Sequence, residues 1–95
     1  IQQHVADKIQ QLRDLVGRPL IITSAYRHPT HPIEAKKSTP GTHAQGLAVD
    51  IKVSSGAERY ELITLGLQLG ATGIGVNKTF IHLDWRESTP VAWEY

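Results

Sequence analysis

Apolar residues recur with helical spacing near the start of the chain. Val5, Ile9, Leu12 and Val16 are separated by four, three and four positions, which places them on one face of an α-helix. A glycine and, two positions later, a proline follow, and these residues commonly end helices. The pattern therefore predicts a first helix that buries one apolar stripe and ends at Gly17.

A second helix is predicted to begin near residue 56. Ser55 and, three residues later, Glu58 form the Ser-x-x-Glu capping pattern of a helix N-terminus. The apolar positions that follow are spread widely around the helix, so we expect it to pack broadly against a sheet. Gly70 marks its predicted end.

Three stretches have the hydrophobic pattern of β-strands. Residues 20–26 begin apolar and become polar, whereas residues 46–53 and 79–85 alternate between apolar and polar positions. Because successive side chains of a strand point to opposite faces, each alternating stretch presents one aliphatic face and one polar face. We expect the aliphatic faces to meet the helices.

Shorter features complete the expected fold. A short strand at residues 73–76 precedes a hairpin turn at Asn77. Residues 27–42 form a loop longer than compact domains usually tolerate without a function, and we expect the polar residues 86–95 to lie across the domain. This order of elements predicts a single α+β domain over residues 1–95, with a small, mostly antiparallel sheet packed on one side by helices.

The composition excludes several classes of protein. The 95 residues include 10 basic and 9 acidic side chains with no basic stripe, so we expect no nucleic-acid partner. No apolar run approaches the roughly 18 residues that span a bilayer, so we expect no membrane span. The 95 residues contain no basic-then-apolar leader, but they begin with Ile1 and contain no Met, so a signal peptide could have preceded them. Since cysteine is absent, a metal ion would need His and carboxylate ligands.

Polar side chains with metal-binding chemistry occupy the predicted polar faces of two strands. Asp50 alternates with aliphatic residues in one strand, and His82 and Asp84 lie two positions apart in another. These groups would line one groove. His43 precedes the strand that contains Asp50 and could reach this groove across the intervening turn. Two imidazoles and one carboxylate suit a zinc ion with an open fourth position. His and Asp residues in strands are also commonly hydrogen-bonded or solvated, and the spacing alone leaves that interpretation open.

Three sequence elements occur in the order typical of one enzyme family. They are Ser-Ala-Tyr-Arg at residues 24–27, His-Ala-Gln-Gly-Leu-Ala-Val-Asp at residues 43–50 and Phe-Ile-His-Leu-Asp at residues 80–84. They resemble the S-x-Y-R, H-x-x-G-x-A-x-D and F-[IV]-H-[LV]-D elements of the M15 metallopeptidases. This family contains zinc D-alanyl-D-alanine carboxypeptidases and related peptidoglycan peptidases, and its fold is shared with hedgehog signalling domains.

The resemblance implies a ligand set, a fold and a function. It implies that His43, Asp50 and His82 bind Zn²⁺ in a hedgehog/DD-peptidase-like fold. The implied enzyme is a zinc-dependent peptidase that hydrolyses peptidoglycan stem peptides, as a D-alanyl-D-alanine carboxypeptidase or an endopeptidase, with zinc-activated water as the nucleophile. It would act on the cell wall, in the periplasm or outside the cell, or as a phage lysin released to the wall. We expect a monomer.

Two further residues are candidates for catalysis. Arg27 could bind a substrate carboxylate or stabilise an oxyanion, and the resemblance favours this over a surface ion pair. Many family members carry an acid three residues before the last ligand, where this chain has Thr79. Asp84 is the best substitute as general base, although it could instead orient His82 through a hydrogen bond.

Other residues are weaker candidates for the site. Ser24 and His31 could contact the substrate, and Glu34 and Glu87 are further candidates for the general base. The missing acid at residue 79 keeps open a non-catalytic alternative, in which zinc stabilises a module of the same fold that binds the cell wall or a protein. A structural domain without metal is a further alternative.

Overall fold

The computed structural model describes residues 2–25 and 45–95, which contain two helices and a five-stranded sheet. This is an α+β fold, as predicted. The helices are α1 (Gln3–Val16) and α2 (Gly56–Gln68). The strands are β1 (Ile22–Ser24), β2 (Ala48–Lys52), β3 (Gly73–Val76), β4 (Phe80–Asp84) and β5 (Val91–Glu94).

The sheet is mixed, with the strand order β1-β2-β4-β3-β5. Strand β2 pairs antiparallel with β1 and β4, and β4 also pairs antiparallel with β3. The pair of β3 and β5 is parallel. The prediction of a mostly antiparallel sheet is confirmed, and β4 lies at its centre.

Helix α1 buries the predicted apolar stripe and ends at the predicted glycine. Val5, Ile9 and Leu12 are buried on its inner face. At its end, Gly17 adopts a φ of 74° and donates its backbone N–H to the carbonyl of Arg13. This left-handed conformation is one that glycine adopts without the steric penalty other residues incur, so the glycine ends the helix.

Helix α2 packs against the core through most, but not all, of the apolar positions that the sequence predicts. Leu62 and Gly66 are buried and Ile63 and Leu65 are partly buried against the core, whereas Tyr60 and Leu67 are exposed. A Cβ atom on Gly66 would lie 2.8 Å from a methyl carbon of Leu83 in β4. The glycine therefore lets the helix approach the sheet closely at this position.

One apolar core joins both helices to one face of the sheet. Alternate residues along β2 and β4 point into this core, as the period of two predicts. The residues concerned are Leu47, Val49, Ile51 and Val53 along β2, and Ile81, Leu83 and Trp85 along β4. This agrees with a sheet packed on one side by helices, and it turns the polar positions of both strands to the opposite face.

The last strand corrects the expectation that residues 86–95 lie across the domain as a polar tail. The segment Val91–Glu94 instead forms a strand parallel to β3 at the end of the sheet. Val91 donates its backbone N–H to Thr72 at 2.9 Å, and Tyr95 donates to Val76 at 3.0 Å. A four-residue strand is too short to show a clear alternation, so pairing with its neighbour decides its conformation.

Other predicted bounds differ slightly from the structure. Strand β1 is shorter than the predicted residues 20–26, and the predicted loop at residues 27–42 lies outside the described residues. No helix in the described part of the chain is long and apolar enough to cross a bilayer.

Candidate active site

The polar residues of β2 and β4 are neighbours across the sheet. Asp50 and His82 are direct cross-strand partners, and Ala48 is the partner of Asp84 two positions along. Directly opposed residues of paired strands share a face, and that face also includes residues two positions along each strand. The structure thus brings Asp50, His82 and Asp84 together on the sheet face opposite the helices.

His82 is held between two carboxylates. Its Nδ1 lies 3.0 Å from Oδ1 of Asp50, and its Nε2 lies 2.7 Å from Oδ2 of Asp84. The three residues are buried, with 8% of Asp50, 3% of His82 and none of Asp84 exposed. Hydrogen bonds on both sides of the imidazole therefore determine the orientation of the ring.

Arg86, just beyond β4, binds the second of these carboxylates. Its Nε donates to Oδ1 of Asp84 at 2.8 Å and its terminal nitrogen to Oδ2 at 2.6 Å, while its backbone N–H adds a bond of 3.2 Å. Such bidentate pairing is among the strongest interactions between Arg and a carboxylate, and it compensates the buried charge of Asp84. The sequence reasoning did not identify Arg86, although the Asp-x-Arg spacing places both side chains on one side of an extended chain.

These contacts shift the pKa values of the site residues. Burial alone would lower the pKa of His82, but its hydrogen bonds to Asp50 and Asp84 outweigh burial and raise that pKa above 6.5. Burial alone would raise the pKa of Asp84, but the bonds from Arg86 and His82 hold it well below its usual 3.8. The two carboxylates therefore stabilise the protonated form of His82 relative to the neutral ring.

Two glycines of β3 make room on this face of the sheet. Gly75 is the cross-strand partner of His82, and Gly73 is the partner of Asp84. A Cβ atom on Gly73 would overlap the carboxylate of Asp84, and one on Gly75 would lie 2.8 Å from the indole of Trp93. The sequence pattern predicts only a short strand here, but the Gly-x-Gly spacing was an available sign of a face open to its neighbours.

Trp93 of β5 borders the polar cluster on one side. The centroid of a Trp93 ring lies 5.0 Å from that of His82, and the guanidinium carbon of Arg86 lies 5.2 Å from a Trp93 ring centroid. Tyr95 extends this border with ring centroids 6.2 Å from Trp93 and 5.1 Å from Phe80. Aromatic side chains thus enclose the site on the side of β5.

Several residues expected at the site lie outside the described part of the chain. They are His43, the expected third ligand, together with Arg27 and His31. Ser24, at the end of β1, is half-buried and is the register partner of Asp50. This register places it in the same row of the sheet as the candidate ligands.

The residues considered for proton transfer differ in their exposure and in their distance from the site. Thr79 is exposed, and its backbone N–H and hydroxyl bond to Oδ1 of Asn77 at 3.0 and 3.1 Å. Glu87 is exposed after β4, and Glu34 lies outside the described residues. Among the described acids considered for proton transfer, Asp84 is therefore the one in contact with His82.

A family model described as Peptidase M15 matches residues 1–84. The chain belongs to the peptidase M15 family. The matched stretch of this M15 chain includes Asp50, His82 and Asp84 but ends before Arg86 and β5. No curated protein and no solved structure gave a significant match. Family membership supports hydrolysis of peptide bonds as the general activity.

Members of the M15 family are generally metallopeptidases, and Asp50 and His82 supply carboxylate and imidazole donors of the kind that zinc takes. Asp50 Oδ1 and His82 Nδ1 are 3.0 Å apart, close to the roughly 3.3 Å between two ligands of a tetrahedral zinc ion bound at ~2.0 Å. Within residues 2–25 and 45–95, no three His, Cys, Asp or Glu side chains form a group able to hold a metal ion. The described donors are thus compatible with two ligands of a zinc site, and the expected third, His43, lies outside these ranges.

Proposed function

We propose that this chain is a zinc-dependent peptidase that hydrolyses peptide bonds in the stem peptides of peptidoglycan. The main support is the pair of facing donors, Asp50 Oδ1 and His82 Nδ1, within the stretch that matches the peptidase family. The bond that we propose is cut lies next to a D-amino acid. The enzyme would act on it either as a D-alanyl-D-alanine carboxypeptidase or as an endopeptidase. Such an enzyme would act as a monomer at the cell wall, in the periplasm, outside the cell or as a phage lysin.

Each site residue has a distinct part in the proposed mechanism. His43, Asp50 and His82 would hold the zinc ion, which when bound supplies Lewis acidity and makes water nucleophilic near neutral pH. Arg27 would bind a substrate carboxylate or stabilise the developing oxyanion. Ser24 and His31 would contact the substrate and help to orient it.

The contacts of Asp84 favour an orienting role over that of general base. A general base must accept a proton near neutral pH, whereas its bonds with Arg86 and His82 hold the pKa of Asp84 well below the usual range. Nε2 of His82 instead lies within hydrogen-bond distance of Asp84, and donation to that carboxylate would leave Nδ1 available to hold the zinc ion. Glu34 and Glu87 are then the acids to test as proton acceptors.

A non-catalytic zinc-stabilised module that binds the cell wall or a protein is the second candidate. Thr79 supports it, because a threonine at the position of the usual family acid cannot act as the base. The pairing of Asp84 with Arg86 supports it as well, because the nearest substitute acid is already engaged.

Mass spectrometry of muropeptides incubated with the purified protein and zinc tests the proposal. Cleavage next to a D-amino acid is expected, and the product shows whether a terminal residue was removed or an internal bond was cut. Binding of about one equivalent of zinc without cleavage would favour the module, whereas less than about half an equivalent would overturn both candidates. His82→Gln should abolish cleavage, and Arg18→Gln, on the helix side, is the control that should retain it.

A further inference from the structure

Two residues beyond the stretch that matches the peptidase family contact its candidate site. Arg86 donates to both carboxylate oxygens of Asp84, and Trp93 packs against both Arg86 and His82. With the bond between His82 and Asp84, these contacts form a closed ring of four side chains. The family match ends at residue 84, so it assigns no role to Arg86 or Trp93.

We propose that Arg86 is a positioning residue for the metal centre, acting through Asp84 on the imidazole of His82. This inference rests on the proposed zinc-dependent function. An imidazole that binds a metal through one nitrogen commonly donates its other N–H to a carboxylate, which sets the tautomer and the ring orientation. Asp84 is that carboxylate, since its Oδ2 lies 2.7 Å from Nε2 of His82.

On the side of β3, hydrogen bonds rather than side-chain packing hold the carboxylate of Asp84, because its neighbour there has no side chain. That neighbour is Gly73, whose missing side chain leaves the space that the carboxylate occupies. The two bonds from Arg86, at 2.8 and 2.6 Å, hold the plane of the carboxylate. A lysine would supply one point charge and could not hold both oxygens in this plane.

The indole of Trp93 packs against the guanidinium of Arg86 and limits its movement. Its ring centroid lies 5.2 Å from the guanidinium carbon of Arg86, within the range of a cation–π contact. The main chain of β5 pairs with β3, and Gly75 leaves room for the indole. Strand β5 thereby supports the site without contributing a candidate ligand.

A purely structural role for Arg86 makes a different prediction. If Arg86 only stabilised the segment after β4, its loss would lower the free energy of unfolding and leave the zinc affinity of the folded protein unchanged. If Arg86 positions His82, its loss lowers the zinc affinity of a protein that still folds. Metal affinity therefore separates the two roles where activity alone would not.

The test measures zinc affinity by competition with a chromophoric chelator, and the visible spectrum of the Co²⁺-substituted protein, for Arg86→Gln and Arg86→Lys. Arg86→Gln should bind zinc about 10–100-fold more weakly than the wild type, with Arg86→Lys between the two. The matched control is Arg18→Gln. Arg18 also donates to a carboxylate at 2.7 Å, that of Glu61, but on an exposed surface between α1 and α2. Its loss should change neither readout.

A double variant adds a second measurement. Asp84→Asn and Asp84→Asn/Arg86→Gln should lose similar zinc affinity, because Arg86 acts through Asp84 and the two effects should not add. Additive losses in these variants would overturn the inference, as would a folded Arg86→Gln with affinity within about twofold of the wild type.

The remaining outcomes are also decisive. If Arg86→Gln does not fold, Arg86→Lys decides the question, and an unchanged affinity and Co²⁺ spectrum in that variant would overturn the inference. A wild-type protein that binds no zinc would overturn both the proposed function and this inference. Zinc binding by the wild type with unchanged affinities in the Arg86 variants would overturn the inference alone.

Discussion

Gly75 and Trp93 are direct partners on the parallel strands β3 and β5, and the indole occupies the space that a side chain at residue 75 would fill. In the other direction Gly75 is the partner of His82. The gap therefore lets Trp93 approach the imidazole, with ring centroids 5.0 Å apart. The aromatic side of the site depends on the absence of one side chain.

Replacing Gly75 with alanine should destabilise the protein. The new Cβ would lie 2.8 Å from the indole, and such overpacking typically lowers the free energy of unfolding by ~1–3 kcal/mol. Urea denaturation followed by tryptophan fluorescence measures the change. Gly56→Ala is the control, since its Cβ would meet its nearest atom, on Arg59, at an ordinary 3.7 Å. Equal stability of Gly75→Ala and the wild type would contradict the tight fit.

Without metal, the stability of the protein should be greatest between about pH 3.8 and about pH 6.5. The pKa of Asp84 is lowered from 3.8 by folding, so its contribution is present above that value and is lost as the pH falls towards the folded pKa. The pKa of His82 is raised from 6.5, so its contribution is present below that value and is lost as the pH rises through the folded pKa. Chemical denaturation in the presence of a chelator measures this profile.

The variant Asp84→Asn tests the acid side of that profile. It removes the carboxylate whose pKa folding lowers, so the loss of stability below about pH 4 should become less steep than in the wild type. A wild-type stability that rises steadily from about pH 4 to about pH 8 would contradict the predicted contribution of His82.

Zinc should stabilise the protein more strongly as the pH rises through the raised pKa of His82. A proton on Nδ1 competes with the ion for the same lone pair, so metal binding requires its release. The difference in Tm between zinc-loaded and chelator-treated protein should be small near pH 5 and large near pH 8. A difference that persists undiminished at about pH 5 would count against His82 as a ligand.

The N-terminal cap of α2 should affect stability but not the metal site. The hydroxyl of Ser55 accepts the backbone N–H of Glu58 at 3.1 Å, and loss of such a cap typically costs ~1 kcal/mol. Ser55→Ala should therefore lower the free energy of unfolding by about that amount and leave zinc affinity unchanged, because α2 packs on the other face of the sheet. Ser88→Ala, at an exposed position before β5, should change neither quantity. A zinc affinity lowered in Ser55→Ala would contradict this separation.

Part of the candidate site could be predicted from the chain alone. Strict alternation showed that Asp50, His82 and Asp84 turn away from the core, and the family elements gave the expected ligand set. Arg86 was not identified as a site residue, although its spacing from Asp84 was a local sign of their contact. The place of Trp93 beside His82 depends on the pairing of β5 with β3 and could not be predicted from spacing. His43 and Arg27 stay predictions, since they lie outside the described residues.

The sequence by itself determined the features that depend on near neighbours in the chain. The spacing of Val5, Ile9 and Leu12 determined the buried face of α1, and the pattern at Ser55 determined the start of α2. Both features arise from contacts among residues a few positions apart, which a local pattern can show.

Only the tertiary structure decided how the polar face of the sheet is enclosed. Whether a short segment such as Val91–Glu94 becomes a strand depends on its hydrogen bonds to β3, a distant part of the chain. That pairing places Trp93 over Gly75 and against Arg86, and so completes the surroundings of His82. Local spacing could not show these contacts, because each residue meets partners from strands that only folding brings together.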